Sequence, residues 1–177
     1  MRVVGGMYGG RRLTAPTGDE TRPTGDRVRE ALFSVLGASI HDARVLDLYA
    51  GSGALGIEAL SRGAAAAVFV DRSHKAVKAI RANLAALGIE AEVRPIAARA
   101  ALRAASARRE AYDLVFLDPP YRRAAELGRE LSEGLTAVLA PGARVVTESD
   151  RRAPLELDLP LTDERRYGDT VIRIHEP

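Results

Sequence analysis

Asp118-Pro119-Pro120-Tyr121 follows the apolar run Tyr112 to Leu117, and its residue types suit work on an amino group. An aromatic amino group is a poor nucleophile because its lone pair is shared with the ring. Two acceptors fixed on its hydrogens draw that pair outward, toward an incoming electrophile. Asp118 offers a carboxylate oxygen, the carbonyl of Pro119 offers a second acceptor, and Tyr121 offers a face on which a base can stack. The two prolines restrict the backbone that carries these groups. Positioning and preorganised dipoles of this kind are large terms in enzymatic rate. Taken alone, four such residues could equally be a proline-rich turn. Their place after a strand pattern, downstream of a glycine loop at an earlier one, favours chemistry.

That earlier loop is Asp47-Leu48-Tyr49-Ala50-Gly51-Ser52-Gly53-Ala54-Leu55-Gly56. Glycines let a backbone turn tightly and approach a ligand closely. Gly51 to Gly56 fits the dinucleotide pattern GxGxxG, and Asp71 lies about 20 residues after Gly51, where an acid would hold a ribose. Two cofactors therefore compete, NAD and S-adenosylmethionine. Asp47, just before the loop, suits a cationic head and repels a pyrophosphate. Adenosylmethionine carries an ammonium and a sulfonium, and its ribose still calls for an acid. Hydride transfer, by contrast, has no use for the Asp118 motif. Asp47, Tyr49, Gly51, Gly53 and Asp71 are thus candidates to bind adenosylmethionine, with NAD as the rival and a ligand-free glycine turn as the third option. The stretch Pro95-Ile96-Ala97-Ala98-Arg99 holds no Asp or Asn to meet an adenine amino group, so that contact falls to backbone around Ala97.

Other candidates are bland. His41, His74 and His175 form no spaced cluster, and no Asp/Glu pattern suggests a metal, so none is expected. Arg99, Arg103, Arg108 and Arg109 fit a solvated helix face better than an RNA patch. Glu148 follows a fifth strand pattern and is expected to be structural.

The elements that must hold these groups alternate. Strand patterns at Arg44–Leu48, Ala66–Val70, Ala91–Arg94, Asp113–Leu117 and Ala143–Thr147 are separated by helical ones at Ala54–Arg62, Ser73–Leu87, Ala97–Arg108 and Ala124–Leu139. Gly63, Gly88 and Pro141-Gly142 mark helix ends. Ahead of them, Thr24 is placed to cap a helix running to Leu36. Two further strand candidates follow, Leu155–Leu159 and Thr170–Ile174. Such alternation predicts an α/β fold, a doubly wound, mostly parallel sheet, with ligands outside the carboxyl ends of the strands. Asp47 to Gly56, Asp71, the segment after Arg94, and Asp118 to Tyr121 all fall there.

With 177 residues, one domain (22–177) preceded by a short Gly/Arg arm or hairpin (1–21) fits better than two domains. The arm is poor in large apolar residues, so it is expected to add little to the core. There is no cysteine, which excludes disulfides and fits a reducing, cytoplasmic setting. No apolar run approaches the roughly 20 residues of a membrane span. Net charge is +2, and of 26 basic residues only Lys75 and Lys78 are lysine. Arginine is the better fork for phosphate, although an Ala/Gly/Arg-rich composition also follows from codon bias.

Several stretches together resemble the bacterial 16S ribosomal RNA guanine-N2 methyltransferases of the RsmD family: Arg2-Val3-Val4-Gly5-Gly6, Gly9-Gly10-Arg11-Arg12-Leu13, Arg22-Pro23-Thr24-Gly25-Asp26-Arg27, Asp47 to Ala64, Asp118 to Tyr121, and Tyr167-Gly168-Asp169-Thr170. The resemblance spans essentially the whole chain. It implies a seven-stranded class I methyltransferase sheet, adenosylmethionine as donor, and a guanine of 16S ribosomal RNA, free or in a small-subunit particle, as substrate. By it Asp47, Gly51, Gly53 and Asp71 would hold the donor, and Asp118, Pro119 and Tyr121 the base. Arg22, Thr24 and Arg27 would lie near RNA or the active site. Arg11 and Arg12 are further candidates for RNA phosphates, and a monomer is expected. A methyltransferase for DNA adenine or protein glutamine shares the Asp-Pro-Pro-Tyr logic. An NAD oxidoreductase and a catalytically dead RNA-binding module are the alternatives from other classes.

Overall fold

The computed structural model describes residues 1–16, 25–119 and 124–177. Seven strands form one sheet: β1 (Arg44–Leu48), β2 (Ala66–Val70), β3 (Glu92–Arg94), β4 (Tyr112–Leu117), β5 (Leu139–Asp150), β6 (Leu161–Tyr167) and β7 (Thr170–His175). Their order is β3-β2-β1-β4-β5-β7-β6. The first five strands pair in parallel, and β7 runs antiparallel to both β5 and β6. Five helices cover the sheet: α1 (Asp26–Leu36), α2 (Ala54–Ser61), α3 (His74–Leu87), α4 (Ala98–Ala107) and α5 (Ala124–Thr136).

The apolar runs of β1, broken by Asp47, and of β4 from Leu114 to Leu117 are explained by burial on both faces. On one face Phe33, Phe69, Ile80, Phe116 and Ile172 pack together; on the other Leu46, Leu102, Leu117, Leu131 and Leu135 do. The turn chemistry behaves as its residues dictate. The Ser73 side chain caps α3 by accepting the Ala76 N–H, and Gly88 ends the helix at φ 68°. Strand β1 lies between β2 and β4, so the chain leaves it in opposite directions to reach its two neighbours. A doubly wound sheet opens its ligand crevice at such a reversal.

Three sequence expectations change. The last helix stops at Thr136, and Leu139 to Gly142 belong to β5. Pro141-Gly142 therefore does not stop a helix. It sits where the β4–β5 register shifts, between the pairs Tyr112↔Leu139 and Leu114↔Arg144, an irregularity of the kind that tolerates proline. Leu155–Leu159 is not a strand; Leu155 instead fills the core on the face shared by Leu131 and Leu135. The edge strand is the polar stretch Leu161–Tyr167, laced by Arg165–Asp163, Arg166–Glu164 and Arg173–Glu164 ion pairs at 2.8–2.9 Å. Charged edges deter unwanted pairing, and they also hide a strand from an apolar pattern search.

The N-terminal segment differs most. It closes a small hairpin through the antiparallel bridge Arg2↔Arg12, and both Val3 and Leu13 are buried in the core. Glu58, fully buried on α2, accepts the N–H groups of Val4 (2.7 Å) and Gly5 (2.8 Å). Asn83 on α3 exchanges two hydrogen bonds with the Thr14 backbone and gives a third to the Ser52 carbonyl. Sparse apolar content misled here, because side chains of α2 and α3 satisfy the hairpin's backbone.

Candidate active site

The expected donor residues meet at the carboxyl ends of β1 and β2. Asp47, the fourth residue of β1, is almost fully buried, and its Oδ2 accepts the Gly56 N–H at 2.9 Å. Burial pushes its pKa up to about 7; the Gly56 hydrogen bond opposes the rise, and the charge of Asp71 adds to it. Tyr49 follows at φ 61°, left-handed backbone that costs a non-glycine residue, and its hydroxyl is raised by burial. Gly51 and Gly53 are also left-handed, at φ 57° and 79°. A Cβ built on Gly51 would meet only the Tyr49 carbonyl, at 3.9 Å, so open space lies over the loop there.

Asp71 sits just past β2. Its Oδ2 accepts the Gly51 N–H at 3.0 Å and its Oδ1 accepts the Ser73 N–H at 2.8 Å. The carboxylate therefore ties the glycine loop to the start of α3, and each oxygen keeps a second lone-pair site for a ribose hydroxyl. Beyond β3, Ala97 is the exposed residue that opens α4, and no side chain caps that helix. A cationic donor with a ribose fits this set: open space over a glycine loop, one buried carboxyl whose pKa is near neutral, and one carboxylate facing the adjoining strand end. A pyrophosphate would meet the Asp47 charge.

Asp118 leaves β4 beside β1, across the same crevice. Desolvation holds its carboxyl well above the usual carboxylate range, and the charges of Glu148 and Asp47 push it further. The residue's outer surface remains partly open, whereas Pro119 behind it is buried. The structure thus brings Asp47, Gly51, Gly53, Asp71 and Asp118 to one rim. Tyr121, Arg22 and Thr24 lie outside the described residues. Arg27 is exposed in the first turn of α1. That turn is anchored to the hairpin, since Arg29 donates to the Arg2 carbonyl and to Asp26 Oδ1.

Arg12 forms the antiparallel bridge with Arg2 that closes the hairpin. Arg11 donates to the Ala86 carbonyl at 3.2 Å, in the last turn of α3, one turn past Asn83, which reaches the Ser52 carbonyl of the glycine loop.

A family model described as conserved hypothetical protein 95 matches residues 1–176. A Bacillus subtilis protein named as a candidate rRNA methyltransferase, YlbH, is 40% identical over 186 aligned positions, covering 99% of this chain and 98% of that one. Ribosomal RNA small subunit methyltransferase D of Escherichia coli K12 is 42% identical over 123 positions, 70% of this chain and 61% of that protein. The chain belongs to the RsmD family. A solved structure, named as a candidate methyltransferase yhhF from Escherichia coli, superposes on this RsmD-family chain with a TM-score of 0.85 at 37% identity, over 99% of this chain and 97% of that one.

In this RsmD-family chain Glu148 lies inside β5 and not after it, 4% exposed, with its charge acting on Asp118. The reason is the length of β5, which runs past Thr147 to Asp150 and so carries Glu148 alongside the Asp118 strand end.

Proposed function

We propose that this chain transfers a methyl group from S-adenosylmethionine to the exocyclic N2 amino group of a guanine in small-subunit ribosomal RNA. One observation carries this: β1 and β4 are adjacent parallel strands, so Asp47 and the glycine loop it holds end beside Asp118, whose carboxyl feels the charge of Asp47. The family, and relatives named for ribosomal RNA methylation, supply the substrate class.

When bound, S-adenosylmethionine supplies an electrophilic methyl on its sulfonium; the new N–C bond replaces the S–C bond, S-adenosylhomocysteine departs and one amino proton passes to solvent. Asp47 offers negative charge to the donor's cationic end, Asp71 meets its ribose hydroxyls, and backbone near Ala97 meets the adenine. Asp118 and the Pro119 carbonyl accept the two amino hydrogens and turn the nitrogen lone pair toward the methyl. Tyr121 stacks on the base, which must leave any duplex to reach this depth. Arg22, Thr24 and Arg27 contact the RNA around it, and Arg11 and Arg12 take RNA phosphates.

Incubation with isotopically labelled adenosylmethionine and small-subunit RNA or particles, followed by nucleoside mass spectrometry, tests this. N2-methylguanosine is expected. Label in another nucleoside, or calorimetric binding of NAD in place of adenosylmethionine, would overturn it.

A further inference from the structure

Asp118 and Glu148 are neighbours across two parallel strands. The β4–β5 register pairs Phe116 with Val146 and Leu117 with Thr147, so one more step sets Asp118 beside Glu148. Strands lie about 4.8 Å apart and side chains alternate in face, which sends both carboxyls out on the face of Phe116 and Val146. On its other side Glu148 pairs with Ile172 of β7, a core residue. The two residues therefore stand together, Asp118 half-buried and Glu148 buried, beside the apolar side chains of that face. Their proximity is also felt electrostatically, since the charge of Glu148 raises Asp118.

We infer that Glu148 determines which base is methylated, by accepting the ring N1–H of the guanine whose amino group Asp118 and Pro119 hold. The inference rests on the function proposed above. Its chemistry follows from the edges of the bases. Guanine alone among the amino bases carries a ring N–H next to its amino group; adenine and cytosine carry a lone pair at the adjoining ring nitrogen. The two oxygens of a carboxylate offer about four lone-pair sites, so Glu148 can keep its interactions within the protein and still take the N1–H. Against adenine or cytosine the same carboxylate would face a lone pair in a desolvated place. Sites built around such a hydrogen bond reject the analogue that lacks it by large factors.

The test uses the wild-type protein first. The guanosine it methylates is mapped in small-subunit RNA, and that nucleoside is replaced by 2-aminopurine riboside. This analogue keeps the amino group and changes the N1–H to a lone pair. Single-turnover methylation of the substituted RNA should be slower by about 10²-fold or more. In Glu148→Gln the amide can turn an N–H toward that lone pair, so the preference for guanine should shrink at least tenfold, while Glu148→Asp should retain it. Melting temperature and adenosylmethionine affinity are measured beside these. Equal rates on the two RNAs with wild-type protein would overturn the assignment. So would a Glu148→Gln protein that is slower on both RNAs by one factor, the mark of a merely structural residue. Methylation of no guanosine at all would overturn the function itself, and this assignment with it.

Discussion

The Asp47 carboxylate and the Gly56 N–H, 2.9 Å apart, close the glycine loop on itself from β1 to α2. The approach leaves no room for a side chain at Gly56, where a Cβ would fall 2.4 Å from the Phe69 ring and 3.1 Å from Asp47 Oδ2. Phe69 is fully buried and cannot swing away. Gly56→Ala should therefore lower the melting temperature and weaken adenosylmethionine binding together. A variant with wild-type melting and calorimetry would show that the loop tolerates the added atom.

Asp47 also sets a pH dependence. Its folded-state pKa of about 7 lies above the ordinary 3.8. Stability from this group is therefore full below about pH 3.8 and is lost as pH rises toward 7. Asp47→Asn keeps an acceptor for Gly56 and removes the titration. The stability of Asp47→Asn relative to wild type should climb between those limits, by up to about 4 kcal/mol, and level off above pH 7. Denaturant unfolding at several pH values reads this; a flat difference would rule out the raised pKa. Adenosylmethionine affinity should move oppositely in wild type, strengthening as Asp47 ionises.

Asp71 holds the glycine loop and, on the proposed function, the donor ribose, so its loss should show twice. Asp71→Ala deprives Gly51 and Ser73 of their acceptor and removes the proposed ribose contact. Adenosylmethionine affinity should fall by about 1.5–3 kcal/mol, the range for hydrogen bonds to a charged group, accompanied by a lower melting temperature. Affinity unchanged in a folded protein would take Asp71 out of the donor site.

Asp118→Ala should spare the donor pocket and strike turnover. Loss of one fixed acceptor predicts a drop on the order of 10² to 10³-fold in single-turnover rate, with donor affinity nearly unchanged. Replacement of Tyr121 separates stacking from hydroxyl chemistry: Tyr121→Phe should be mild and Tyr121→Ala should cost roughly 1–3 kcal/mol of substrate binding. Equal losses in the two variants would point to the hydroxyl.

Glu58 should matter to the fold more than any arginine of the hairpin. It accepts Val4 N–H, Gly5 N–H and Arg62 Nε–H while fully buried. Glu58→Ala should destabilise the protein by about 3–5 kcal/mol, as breaking a buried ion pair does. Arg11→Ala with Arg12→Ala should change melting far less, since Arg11 contributes one exposed hydrogen bond. Comparable thermal shifts in the two proteins would contradict that ranking.

The sequence by itself determined the alternation of strands and helices, because apolar runs, a Ser73 cap and glycine stops are local signals. It also pointed to candidate segments for chemistry, because Asp47 to Gly56 and Asp118-Pro119 are read from residue type and spacing. It missed what depends on partners far along the chain. The hairpin looked peripheral because its backbone is satisfied by Glu58, Ser61 and Asn83, more than 50 residues away. Strand β6 was hidden because its charges pair with each other and with Arg173, where an apolar pattern says nothing. Leu155 took the look of a strand residue although it fills a gap in the core beside Leu131. Glu148 gained its place beside Asp118 only through the β4–β5 register, which no stretch of local sequence encodes. The raised pKa of Asp47 likewise arises from desolvation, and burial is created only when α2 and β2 close over β1.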